Sequence, residues 1–301
     1  MRTSRPTPAD TRHGFLLGAL GVVIFALTLP MTRLAVGSAT DPQLPPAFVT
    51  AGRAAVAGLL SLAWLVATRA PLPARRHWPA LALSGLGTVV GFPLFVALAL
   101  RRVDAMHAAV VTGVMPLGTA IVGALVLRQR PSNGFWACAL LGCALVLVYA
   151  AWSGSGTLTV GDGLLLLAVA STSIAYVAGA RVAASLPAEQ VICWILAAAL
   201  PLTLPAAAWL APQVPARTGA WIGFAYVSLF SMWLGFFAWY RGLALGGVVR
   251  VSQVQLLQPF LALLFAVPVL GERLDPVSMI FALAVMAVVF VGRKMPAVRP
   301  A

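Results

Sequence analysis

The chain has 301 residues, of which 61% are hydrophobic and only 9% charged, and its formal net charge is +13. A soluble domain carries roughly 25% charged residues, so this composition excludes an ordinary soluble enzyme and predicts an integral membrane protein in a lipid bilayer. The basic residues form no cluster with interleaved aromatic residues, which argues against a nucleic-acid partner.

Apolar runs long enough to cross a bilayer follow a short N-terminal tail at 1–13. The first run is too long for the core of a cleaved signal peptide, so it is predicted to remain as the first span. Five runs fill each half of the chain, with predicted boundaries at 14–36, 46–67, 78–100, 105–127, 134–151, 162–180, 188–210, 219–240, 249–270 and 276–292.

The two halves of the chain resemble each other. A constant shift aligns Pro116 with Pro259 and Leu127 with Leu270 inside two similar apolar runs. We therefore predict an internal duplication. Its parts are a cytoplasmic tail at 1–13, a first five-helix repeat at 14–151, a linker at 152–161, a second five-helix repeat at 162–292 and a cytoplasmic tail at 293–301.

An odd number of spans in each repeat makes the second repeat enter the membrane from the opposite side. The predicted fold is therefore an all-α integral membrane protein with ten transmembrane helices, arranged as two inverted five-helix repeats around a central cavity. With both termini in the cytoplasm, most of the 20 Lys and Arg residues fall in cytoplasmic segments. The strong preference for arginine over lysine suggests a bacterial source, and hence the bacterial inner membrane.

Prolines within the spans predict interrupted helices, which are typical of secondary transporters with inverted repeats. Helix breaks are predicted at Pro30, Pro116 and Pro259, because proline cannot donate to the carbonyl four residues earlier. Pro116 frees the carbonyl of Thr112, and Pro259 frees that of Gln255. Both residues also carry polar side chains, so a substrate-binding site is predicted where they lie.

Two further groups near these breaks are candidates for substrate binding. Gln258 shares a helix face with Gln255, and the pair either binds substrate or links helices through hydrogen bonds. Arg53 lies about 10 Å inside its span. It either attracts an anionic group of a substrate, such as a carboxylate, or snorkels to the outer head groups or pairs structurally, and we favour the last two.

Other polar residues in the spans are weaker candidates for the same site. Thr28 and Tyr176 occupy equivalent positions in the first spans of the two halves, where polar side chains are expected to face the interior. His107 begins its span at the predicted outer surface. It is either solvated or takes part in proton coupling, and the first is favoured.

Aromatic residues form a stripe along the eighth predicted span. Phe230, Trp233, Phe237 and Tyr240 fall at i, i+3, i+7 and i+10, which is one face of a helix. The stripe either packs against neighbouring helices and lipid or forms an aromatic wall for an amphiphilic solute. The last three of these residues are kept as candidate substrate-binding residues.

These features resemble the EamA family of the drug/metabolite transporter superfamily. Each half carries a proline-containing span followed by a polar turn, GERLDP at 271–276 and RQRPSN at 128–133, and the likeness covers nearly the whole chain, including Arg53. The resemblance implies two halves enclosing a central cavity, with the fifth and tenth spans peripheral, and export or exchange of small metabolites such as amino acids. Gln129 departs from the pattern where the second half has Glu272, and the turn at 271–276 is predicted to be exposed to solvent.

The sequence thus predicts a secondary active transporter, an exporter or exchanger of a small organic metabolite such as an amino acid or an amphiphilic compound, working by alternating access. A non-transporting receptor or assembly factor on the same fold is the alternative. An intramembrane enzyme would need clustered ionisable residues, which the spans lack. No catalytic residue, metal site or cofactor is predicted, and a homodimer is left open.

Overall fold

The computed structural model describes residues 8–126, 130–153, 158–183, 186–246, 252–294 and 297–298. Helices make up almost all of this part of the chain. The first half forms α1 (Pro8–Ala26), α2 (Thr28–Val36), α3 (Pro46–Ala67), α4 (Trp78–Gly85), α5 (Phe92–Ala99), α6 (Ala105–Thr112), α7 (Met115–Val126) and α8 (Asn133–Ser153). The second half forms α9 (Val160–Ala183), α10 (Ala188–Trp209), α11 (Thr218–Tyr226), α12 (Gly235–Gly246), α13 (Gln258–Leu270) and α14 (Pro276–Lys294).

The helices form eight segments in the described residues that are long and apolar enough to cross a membrane. These are Arg12–Val36, Pro46–Ala67, Arg75–Ala99, Ala105–Val126, Asn133–Trp152, Val160–Ala183, Glu189–Trp209 and Thr218–Gly242. The last two predicted spans are apolar but shorter, at Val254–Leu270 and Pro276–Gly292. The bounds follow the sequence closely because a hydrocarbon core of about 30 Å needs ~20 apolar helical residues. Described strand structure consists of β1 (Arg130–Pro131) paired antiparallel with β2 (Ala297–Val298).

Three of these segments are interrupted near the predicted prolines. The helix α1 ends at Ala26, whose carbonyl Pro30 cannot engage, and α6 ends at Thr112, whose carbonyl Pro116 cannot engage. In the ninth segment a 3₁₀ helix at Ser252–Leu257 precedes α13 and Pro259. The three interruptions leave backbone carbonyls without their regular helical partners.

Two other segments contain π-helical turns, at Leu86–Gly91 between α4 and α5 and at Val227–Leu234 between α11 and α12. In each region a hydroxyl bonds to the carbonyl four residues earlier, Thr88 to Ser84 at 2.7 Å and Ser228 to Phe224 at 2.7 Å. Such bonds compete with the helical ladder and bend it. The third and eighth segments therefore share the same departure from regular α-helix.

The helices pair across the two halves of the chain. The helix α3 packs on α10, α1 on α12, α6 on α13 and α8 on α14, while α9 packs along α4, α5 and the turn between them. Gly87 permits the last contact, because a Cβ there would lie 2.3 Å from the carbonyl oxygen of Ser171. The pairing places the interrupted helices α2, α6 and α13 beside one another.

The connections that contain Asp41, Arg101, Arg217 and Glu272 meet at one end of the bundle, which we call the Glu272 end. Arg101 Nη2 donates to the carbonyl of Leu44 at 3.1 Å, and Arg217 Nη1 lies 2.8 Å from Asp41 Oδ2. All eight residues of α6, from Ala105 to Thr112, are buried. The helix α6 is therefore enclosed by protein along its whole length.

Candidate solute-binding cavity

A cavity of about 150 Å³ lies where the interrupted helices of the two halves meet. The first half contributes Thr112 and Pro116, and the second half contributes Gln255, Gln258 and Pro259. The rest of the lining is Phe25, Leu29, Ala109, Gly113, Met115, Thr119, Tyr176, Leu256, Ala262 and Met286. A polar group in an otherwise apolar wall can orient a bound solute.

A second cavity of about 60 Å³ adjoins the first, since both are lined by Phe25, Leu29, Thr112, Met115, Tyr176 and Gln258. Its wall is richer in polar side chains, with Arg53 and the hydroxyls of Thr28, Thr88, Thr172 and Ser231. The predicted residues Thr28, Arg53, Thr112, Tyr176, Gln255 and Gln258 therefore line one cavity or both.

Arg53 is held at the wall of the second cavity with only 4% of its surface exposed. Its Nη2 donates to Ser231 Oγ at 3.0 Å, and Ser231 Oγ lies 2.8 Å from Thr28 Oγ1. Of the two favoured interpretations, snorkelling is wrong, because the guanidinium is enclosed by protein rather than extended to the bilayer surface, whereas the contact with Ser231 is a pairing inside the bundle. Its Nε is buried and has no hydrogen-bond partner among the described residues.

Sequence reasoning missed Ser231, which lies in the π-helical turn of the eighth segment and is 3% exposed. A serine in an apolar run is common, and nothing in its spacing distinguishes it from Ser228. The contact with Arg53 depends on tertiary packing between the second and eighth segments, so it could be found only from the structure.

The aromatic stripe is not part of the cavities. In the described structure neither cavity is lined by Trp233, Phe237 or Tyr240. Phe237 contacts both Trp64 and Trp233, with ring centroids 5.4 and 4.9 Å apart, and Tyr240 contacts Phe236 at 5.7 Å. The interpretation as a solute-binding wall fails, because the π-helical turn at 227–234 changes the helical period and the rings pack against protein.

His107 lies away from these cavities, towards the Glu272 end. Its Nε2 is 2.5 Å from Asp162 Oδ1, and the histidine and aspartate are 9% and 1% exposed. Thr159 donates to Asp162 Oδ2 through its backbone N–H and its hydroxyl, each at 2.7 Å. The prediction of a solvated histidine is therefore wrong, since His107 is buried and links α6, in the fourth helical segment, to α9, the sixth.

Glu272 makes the other polar link between these halves. Its Oε1 and Oε2 accept from the backbone N–H groups of Ala105 and Met106, each at 2.9 Å. The turn is exposed as expected at 271 and 273–276, but Glu272 itself is half-buried, because the free N–H groups at the start of α6 bind its carboxylate. Burial raises the pKa of Glu272 above its usual value, and the two backbone hydrogen bonds oppose that rise.

The described residues contain no group of three or more His, Cys, Asp or Glu side chains placed to hold a metal ion. The cavity walls offer one guanidinium, amides and hydroxyls. Groups of these kinds are able to hold a solute by charge and hydrogen bonds.

Comparisons with known proteins agree with this architecture. A sequence model of the EamA-like transporter family matches residues 12–150 and 159–292. The uncharacterized transporter YdeK of Bacillus subtilis (strain 168) is 40% identical over 286 residues, covering 94% of this chain and 98% of that protein. A crystal structure described only as that of a protein has a similar fold, with a TM-score of 0.62, 20% identity and coverage of 93% of this chain and 98% of the other. The chain is thus a multi-pass membrane protein that belongs to the EamA-like transporter family.

Proposed function

We propose that the protein is a secondary active transporter that exports or exchanges a small organic metabolite by alternating access. The observation that carries this proposal is the cavity of about 150 Å³ bordered by Thr112 and Pro116 from one half and Gln255, Gln258 and Pro259 from the other. Secondary transporters with inverted repeats bind solute at the seam between repeats, where interrupted helices expose polar backbone groups.

The pairing of helices supports inverted five-helix repeats. In such an arrangement the first segment corresponds to the sixth and the third to the eighth. The contact of α1 with α12 then corresponds to the contact of α9 with the α4–α5 segment, and both contacts occur. The contacts of α3 with α10, α6 with α13 and α8 with α14 are each converted into themselves. A two-fold relation between the halves accounts for this pattern, and the shared π-helical turns follow the same relation.

The Glu272 end supports ten crossings and both termini on one side. Contacts there join the connections after the first, third, seventh and ninth apolar segments and the start of α9. Every second connection therefore returns to the same end, as expected if the two shorter helices also cross. The distribution of basic residues assigns this end to the outside and both termini to the cytoplasm of a bacterial cell.

Transport is tested by comparing metabolites in cells with and without the protein, and then by counterflow of the strongest candidates in proteoliposomes. Gln255→Ala and Gln258→Ala are expected to lower counterflow at least ~10-fold if each loses a polar contact to the solute. The exposed Gln213 provides the matched control Gln213→Ala. Unchanged counterflow in both cavity variants would refute the site.

The same preparation separates a transporter from a receptor or assembly factor on this fold. A receptor would bind the solute without moving it across the membrane. A reporter fused after Ala301 tests the topology, and an extracytoplasmic signal would contradict the ten-helix arrangement.

A further inference from the structure

Arg53 is a buried cation that has no acidic partner among the residues that the structure describes. The chain has seven Asp and Glu residues, and all lie near helix ends or in connections: Asp10, Asp41, Asp104, Asp162, Glu189, Glu272 and Asp275. Arg53 makes no salt bridge with any of them in the described structure, where its side-chain partner is the Ser231 hydroxyl at 3.0 Å. Its charge is therefore left without a counter-ion inside the bundle.

A buried charge is costly unless an opposite charge and hydrogen bonds compensate it. One neutral hydroxyl satisfies one of the five N–H groups of a guanidinium, and Nε of Arg53 is buried without a partner. A carboxylate presents two oxygens that match the fork of a guanidinium. The second cavity thus has the chemistry of a site that is completed by an organic anion.

The two adjoining cavities suit different parts of one solute, a charged part and an apolar part. The cavity at Arg53 holds about 60 Å³ and is surrounded by hydroxyls of Thr28, Thr88, Thr172 and Ser231. The neighbouring cavity holds about 150 Å³ and has the larger apolar wall. A dry apolar cavity of about 150 Å³ holds one benzene molecule, so the solute body is of that size.

We propose that Arg53 binds the carboxylate of a small organic monoanion, whose apolar body lies in the larger cavity beside Gln255 and Gln258. The proposal rests on the proposed transport function and names its substrate class. No Asp or Glu lines either cavity in the described structure, so an amine lacks a charged partner there. Monocarboxylates are expected to bind better than the matching amides, amines or zwitterions.

Binding is measured on the purified full chain in non-ionic detergent, by thermal shift and titration calorimetry. The probes are unbranched, branched and aromatic monocarboxylates of three to ten heavy atoms, each with its amide and amine, and leucine and chloride are added as further probes. We expect at least one carboxylate to raise the melting temperature while its amide and amine do not. Binding of amides or amines in preference to carboxylates, or of none of the carboxylates, would overturn the proposal.

Variants of Arg53 test whether the guanidinium is the binding group. Arg53→Gln is expected to weaken carboxylate binding by at least ~30-fold, as removal of one member of a buried charged pair does, and Arg53→Lys is expected to retain part of it. The exposed Arg181 on α9 gives the matched control Arg181→Gln, which lowers the net charge equally. Equal binding by wild type and Arg53→Gln would refute the assignment.

Arg53→Met distinguishes a binding role from a structural one. If the charge is uncompensated in the empty protein, replacing it with an apolar side chain of similar length raises the melting temperature of the protein without solute. If Arg53 serves mainly to hold Ser231 and Thr28 together, the same change lowers the melting temperature.

The outcome is separate from that of the transport test. Carboxylate binding at Arg53 without counterflow would leave the anion site intact and refute transport. Counterflow of amines or neutral solutes that persists in Arg53→Gln would support transport and refute the anion site.

Discussion

Removing the Glu272 carboxylate should open the Glu272 end of the bundle. Glu272→Ala leaves the N–H groups of Ala105 and Met106 without their acceptors, and these residues are 0% and 5% exposed. Hydrogen bonds to a charged group contribute about 1.5–3 kcal/mol each, and the cost of burying the carboxylate offsets part of that. A net loss of about 2 kcal/mol corresponds to a ~30-fold shift towards conformations open at this end.

The shift can be measured by the reaction of a cysteine in the cavity with a membrane-impermeant thiol reagent. Thr112→Cys is introduced into protein in which Cys138, Cys143 and Cys193 have been replaced, and the reagent is applied from the Glu272 side. We expect Glu272→Ala to accelerate labelling by about 30-fold. Glu189→Ala, in the first turn of α10, is the matched control because α10 begins at the opposite end.

The raised pKa of Glu272 fixes the direction of the pH effect on this opening. The half-buried carboxyl of the closed conformation binds a proton more tightly than an exposed carboxyl does. Protonation therefore favours the closed conformation at pH values below the ordinary pKa of 4.5, and this effect is lost as the pH rises through the raised pKa. Labelling of Thr112→Cys should therefore accelerate as pH rises across this window. Glu272→Gln keeps one acceptor oxygen but turns an NH2 group towards the second backbone N–H, so it should label faster than wild type, at a rate that the titration of residue 272 no longer changes with pH. Equal labelling rates in wild type, Glu272→Ala and Glu272→Gln would refute the role of this contact.

Two predictions concern stability in detergent. Asp275 accepts from the Ser278 backbone N–H at 2.9 Å, and this hydrogen bond lowers the pKa of Asp275. Asp275→Ala should therefore cost about 1 kcal/mol of stability at pH values above the ordinary pKa of 3.8, and progressively less as the pH falls through the lowered pKa. Unfolding measured at several pH values checks this. Gly242→Ala should cost about 1–3 kcal/mol of stability and so lower the melting temperature, because its Cβ would lie 2.5 Å from the backbone N of Gly18. Gly163→Ala, which meets nothing within 4 Å, should not.

Eight membrane-spanning segments and the positions of the helix interruptions could be predicted from the sequence because local constraints determine them. Bilayer thickness fixes the length of an apolar helix, and a proline removes one particular hydrogen bond wherever it occurs. Thr112 and Gln255 were therefore identified as residues with polar side chains and freed carbonyls, and both line the larger cavity. The assignment needed no knowledge of which helices touch.

Contacts between distant residues could not be predicted in this way. Glu272 meets Ala105 across 167 positions of the chain, and Arg53 meets Ser231 across 178. The interpretation of the aromatic stripe was wrong for a different reason. The spacing assumes a regular α-helix, and the residue types do not indicate the π-helical turn at 227–234. The first two errors concern which helices touch, and the third concerns the period of a single helix.

The two halves of the sequence align at Pro116 and Pro259 but carry different polar residues, and this difference makes the two ends of the protein unequal. Arg53 lies in the first half and Ser231 in the second, so the proposed anion site joins both halves through unrelated residues. Gln129 occupies the sequence position equivalent to Glu272. An amide is neutral at every physiological pH, whereas a buried carboxyl titrates. Protonation at these two turns can therefore act only at the Glu272 end, where burial raises the pKa of the carboxyl.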